Sequence, residues 1–134
     1  QLIITKRRLA IENGIQCDFN IQIPEYVELR QMNIGTLVDN IMDNAIKVCQ
    51  ECKLERMFKM DLIYQGNAFI IHSIHSVDGA RNITERGKVN EDDIGFGMYS
   101  MKDIVDRYGG TINWKVDNNK FELDVLLWVP KCEK

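Results

Sequence analysis

From Asn33 to about Cys52 the residues Ile34, Leu37, Val38, Ile41, Met42, Ala45, Val48 and Cys49 recur at helical spacing and form one broad apolar stripe. A helix with so wide a stripe must be covered along that side, and the covering layer is written in the rest of the chain. Ile15, Cys17, Phe19, Ile21 and Ile23 alternate with Gln16, Asp18, Asn20 and Gln22, the period of a half-buried strand closed by Pro24. Strands are expected near Phe58 to Tyr64 and from Ala68 to Val77, joined as a hairpin at Gln65-Gly66-Asn67. A second hairpin runs from Thr111 to Val116, turns at Asp117-Asn118-Asn119, and returns through the alternating Phe121, Leu123, Val125, Leu127 and Val129.

Two shorter helices complete the pattern. Residues 2–12 carry apolar positions at helical spacing and stop at Asn13-Gly14, and a helix from about Met98 to Arg107 ends at Gly109-Gly110. Between them, Asp78 to Asp93 holds no apolar periodicity and is rich in Gly, Asn and charge, so a long mobile loop is expected there. The elements add up to one α+β domain over residues 1–134: a two-layer sandwich, its mixed sheet covered on one face by helices, with polar residues or a partner on the other. The length of 134 residues leaves no room for a second core.

Charge and cysteine content exclude several functions. With 17 Lys+Arg against 20 Asp+Glu the net charge is -3, which argues against a general grip on nucleic acid and makes any anion site local. No apolar run approaches the ~18 residues of a membrane span, so no membrane contact is expected of this domain. The chain opens at Gln1 without an initiator Met and reads as a piece of a longer protein. Cys17, Cys49, Cys52 and Cys132 are too few and too scattered for a secreted disulfide framework. Cys49 and Cys52 make a CxxC, and His72 and His75 an HxxH, which together invite a zinc reading. The histidines lie in a strand, however, where residues three apart point to opposite faces, and the thiols read as reduced and partly buried.

Opposite the apolar stripe of the long helix, Asn40, Asp43, Asn44, Lys47 and Glu51 fall together. A solvated face accounts for the charged members. Two asparagines one turn apart are less ordinary, because Asn is a poor helix former. Neutral amide oxygens aligned with a lysine suit a Mg²⁺ ion carrying phosphates. Gly95-Phe96-Gly97 directly before a helix is either a tight turn or a place where backbone N–H groups meet an anion.

In order and separation these features resemble the GHKL ATPase family. Leu37 to Lys47 is similar to its N box, and Ile94 to Tyr99 followed by Ile104 to Gly110 is similar to its second glycine box and the helix after it. The resemblance covers nearly the whole chain and is strongest to the catalytic, ATP-binding domain of sensor histidine kinases, in the quorum-sensing Agr-like and VirS-like branch. It implies a Bergerat fold, with ATP and Mg²⁺ as ligands and the 78–93 loop as the ATP lid. It makes Asn44 the Mg²⁺ ligand, with Asn40 beside it on the phosphate side and Lys47 against phosphate oxygens. Gly95 and Gly97 would wrap the phosphates, and Lys88 of the lid is counted with the nucleotide-binding residues.

The family's first glycine box, DxGxG, is absent in that form. The chain has His75-Ser76 followed by Val77-Asp78-Gly79, so either His75 or Asp78 faces the adenine. The implied activity is transfer of the γ-phosphate to a histidine on a separate dimerisation domain of the same protein, with a response regulator downstream. No catalytic residue beyond the ATP site is expected in this chain, since neither His72 nor His75 sits in a helical H box. The implied location is the cytoplasmic side of an inner-membrane-anchored sensor. A serine kinase of the anti-sigma-factor type and a non-catalytic interaction domain of the same fold are the alternatives.

Overall fold

The computed structural model describes residues 2–24, 34–77 and 98–129. The expected 78–93 loop and Cys132 fall outside them, as do Asn33, Asp78, Lys88, Gly95 and Gly97. The elements follow the order α1 (Leu2–Glu12), β1 (Gln16–Gln22), α2 (Ile34–Gln50), β2 (Met57–Gln65), β3 (Ala68–Ser76), α3 (Met98–Arg107), β4 (Thr111–Asp117) and β5 (Lys120–Trp128). Every element expected from the sequence within these residues is present, with ends shifted by one or two positions.

The five strands form one mixed sheet in the order β1-β2-β3-β5-β4. β1 runs parallel to β2, and the other neighbours are antiparallel. Pairing aligns side chains into rows across the sheet. One row of the inner face reads Cys17, Phe58, His75, Phe121, Val116 and the next Phe19, Met60, Ser73, Leu123, Trp114. The helices cover this face, and the core lies between the layers: Leu37, Val38, Ile41, Met42, Ala45, Val48 and Cys49 of α2 are all buried, as are Met101, Ile104 and Val105 of α3. Full burial of a side chain such as Phe58 contributes roughly 1.5–3 kcal/mol.

Turn chemistry fixes the β4–β5 hairpin. Asn118 and Asn119 take φ of 54° and 62°, the left-handed pair that a two-residue turn between twisted strands requires and that Asn tolerates better than most residues. At the end of α3, Gly110 N–H donates to the Val105 carbonyl and Gly109 N–H to the Asp106 carbonyl, both at 3.0 Å, with Gly109 at φ 64°. This is a Schellman cap. Gly110 is also pressed on the sheet: a Cβ there would lie 1.8 Å from the Leu126 carbonyl oxygen.

Arg56 joins three elements. Its guanidinium donates to the carbonyls of Asn13 (2.8 Å), Gln50 (2.9 Å) and Cys52 (3.0 Å), so the ends of α1 and α2 are tied to the start of β2. Across the sheet, the Tyr64 hydroxyl donates to the Val129 carbonyl at 2.8 Å. No described helix is long and apolar enough to cross a membrane.

Candidate functional site

The polar side of α2 is divided by the structure. Lys6 of α1 reaches Asp39 at 3.0 Å and also pairs with Asp43, and these two carboxylates, Asp43 foremost, hold its ammonium above its ordinary pKa. Asp43 therefore fastens α1 to α2 and stands apart from the asparagines. Asn40, Asn44 and Lys47 follow at four- and three-residue steps on the neighbouring flank. Lys47 is exposed in the last turn of the helix, where a cation also complements the helix dipole.

Asn44 meets the sheet in a narrow cleft between α2, β3, β5 and α3, with room for little more than one water molecule. Ile41, Val48, Met101, Phe121 and Leu123 supply apolar walls, and Asn44, Ser73 and His75 supply the polar groups. Ser73 and His75 are buried neighbours two residues apart on β3, and so on the same face. Their row positions against Leu123 and Phe121 aim both toward the helices. Apolar walls with a few convergent polar groups are the composition of a ligand site, but the side chains stand too close together here for a ring to enter without their moving apart.

His75 is 4% exposed and stands between the rings of Phe58 and Phe121, with centroids at 6.4 and 5.2 Å. Its Nδ1 lies 2.8 Å from the Ser76 carbonyl. A carbonyl can only accept, so Nδ1 carries the proton and Nε2 is the acceptor nitrogen of the neutral ring. Ser76 faces the other way: the Met57 N–H donates to its hydroxyl at 3.0 Å, closing the β2–β3 pair. The chain then leaves the sheet at buried Val77, whose N–H donates to the Asn119 carbonyl at 3.0 Å.

Of the residues singled out from the sequence, Asn44 and His75 come together in this cleft, while Asn40 and Lys47 share the helix flank without lining it. Asp78, Lys88, Gly95 and Gly97 lie outside the described residues. Ser73 was not singled out, although its two-residue spacing from His75 in an apolar strand signals it. The cysteines are elsewhere: the Cys49 thiol sits 3.4 Å from the Met57 carbonyl, and burial pushes its pKa up to about 12, which leaves it protonated. Cys17 and Cys52 are also free thiols.

The sequence family described as GHKL domain matches residues 29–128. The chain belongs to this family. No curated protein sequence matches it. In structure the GHKL domain is similar to the nucleotide-free catalytic domain of histidine kinase ThkA, with a TM-score of 0.70 at 14% identity over 96% of this chain and 88% of that one. It is similar to the Acinetobacter baumannii histidine kinase AdeS, with a TM-score of 0.66 at 14% identity over 97% of this chain and 64% of that one. Full-length ShkA in complex with AMPPNP matches with a TM-score of 0.62 at 15% identity, over 98% of this chain and 30% of that one. At such identities the likeness is one of fold: an α+β sandwich with a mixed five-stranded sheet.

Proposed function

We propose that this GHKL domain binds Mg·ATP and serves as the catalytic domain of a sensor histidine kinase, in the Agr-like and VirS-like branch. The observation that carries the reading is the cleft that joins Asn44 of α2 to His75 and Ser73 of β3 between apolar walls. An adenine ring suits that composition at the mouth of the cleft, where Ile41, Val48, Met101 and Leu123 would have to move apart to take its faces, with polar groups at its edge. Asn44 would hold the Mg²⁺ through its amide oxygen, and the ion would offset phosphate charge. Asn40 and Lys47 continue the polar flank along which phosphates would lie. Asp78, Lys88, Gly95 and Gly97 complete the proposed nucleotide site.

His72 and His75 are on opposite faces of β3, one among carboxylates and one in the core. The reading gives the phosphate-accepting role to a histidine on a separate dimerisation domain, with a response regulator next in line and the domain on the cytoplasmic side. Residues 1–134 act in it as one ATP-binding unit.

Titration calorimetry with Mg·ATP tests this. Asn44→Ala should lose at least about 2 kcal/mol of binding, the scale of a lost contact to a charged group, and keep the wild-type circular dichroism spectrum. An unchanged dissociation constant in Asn44→Ala overturns the assignment of the N box, and absence of binding by the wild-type chain overturns the function.

A further inference from the structure

The outer face of the sheet carries a cluster that ATP binding does not use. His72 stands near its centre, in a cross-strand row with Asp61 of β2 and Asp124 of β5. Its Nε2 lies 2.7 Å from Glu122 Oε2 and 3.8 Å from Asp124 Oδ1, and its Nδ1 lies 3.4 Å from Asp61 Oδ2. One ring nitrogen therefore meets a single carboxylate, and the other meets two.

We propose that His72 Nε2, Glu122 and Asp124 form a site for one divalent transition-metal ion of the zinc class, with Asp61 as a positioning residue. The ligating atoms of the three residues all lie within 4.8 Å of one another. Donors at ~2.0–2.2 Å from a tetrahedral ion stand about 3.3–3.6 Å apart, between the two Nε2 distances, so small side-chain rotations suffice. The imidazole selects zinc-class ions over Mg²⁺ or Ca²⁺, which prefer oxygen. Three protein ligands leave a further position for water.

Asp61 supplies the feature that separates this arrangement from a chance group of acids. Its Oδ2, 3.4 Å from Nδ1, lies across the ring from the two carboxylates at Nε2, the place from which a carboxylate orients a metal-bound histidine. The backbone is set as well, because β3 and β5 are paired continuously from Ala68↔Trp128 to Ser76↔Lys120. Lys115 of β4, 3.7 Å from Glu122 Oε1, occupies the oxygen that faces away from His72. On the neighbouring rung the strand pairing places Lys59 of β2 and Asp18 of β1.

Zinc titration calorimetry on the 134-residue chain near neutral pH, without nucleotide, should show one ion per chain with micromolar affinity. His72→Ala and Asp124→Asn should each weaken it at least about tenfold, and a Co²⁺ complex should lack the charge-transfer bands of thiolate ligation. Asp61→Ala should weaken binding about tenfold, and the conservative Asp61→Glu should restore most of that loss. Wild-type affinity in His72→Ala overturns the site, as do thiolate bands or no binding up to roughly 1 mM Zn²⁺. Should His72→Ala fail to fold, the near-isosteric Asp124→Asn on an exposed carboxylate decides.

Discussion

His75 shows how much a single side chain's surroundings restrict its chemistry. The Ser76 carbonyl fixes its proton on Nδ1, and a neutral ring so oriented offers Nε2 as an acceptor for an exocyclic amine. If His75 faces the adenine, His75→Ala should bind ATP more weakly than the wild-type chain by about 1 kcal/mol in titration calorimetry, for the lost bond. A loss confined to Asp78→Ala assigns the role to Asp78 instead.

At the scale of elements, the end of α3 and the β3–β5 pair each carry a distinct prediction. Gly110→Ala places a methyl group on the Leu126 carbonyl, and backbone cannot yield as a side-chain end can, so a loss of at least roughly 2 kcal/mol in urea unfolding is expected. Gly109, with open space around its Cβ position but a φ of 64°, should lose about 1 kcal/mol as Ala through strain alone.

The outer-face pair gives a pH dependence. Burial pulls the pKa of His72 down, but the Glu122 hydrogen bond, Asp124 and Asp61 outweigh it, and it ends above 6.5. The His72 hydrogen bond holds Glu122 below 4.5. A raised histidine stabilises below its unfolded value and loses this as pH rises through the folded one; a lowered carboxylate stabilises above its unfolded value and loses it as pH falls through the folded one. The pair contributes most between those two limits. With a chelator present, wild type minus His72→Ala stability should therefore be larger near pH 6 than near pH 8, by no more than about 1 kcal/mol for a half-exposed pair. Equal differences at both pH values would remove His72 as the source.

For the whole molecule, Arg56 is the joint between layers. Its three carbonyl partners come from the residue after α1, the end of α2 and the segment before β2. Arg56→Ala should cost roughly 2–3 kcal/mol in chemical unfolding, and Arg56→Lys less, because an ammonium keeps the charge but not the fork that spans three acceptors. Unchanged stability in Arg56→Ala would mean that the three carbonyls are hydrated equally well without it.

Local patterns of the chain settled its local structure. The stripe from Ile34 to Cys49, the alternation from Phe121 to Val129, and the glycines after each short helix placed α2, β5 and the helix ends, because period and backbone conformation are set by neighbours within one turn or one strand. The same stripe marked the opposite flank, and with it Asn40, Asn44 and Lys47. Pairing between distant segments could not be read that way. That β1 lies parallel to β2, that β5 rather than β4 borders β3, and that Asp43 belongs to Lys6 all depend on which surfaces cover one another. His72 and His75 illustrate the division. Their spacing in a strand already sends them to opposite faces, but only the order of strands decides that one meets Asn44 and the other meets Glu122 and Asp124, contacts made between residues far apart in the chain.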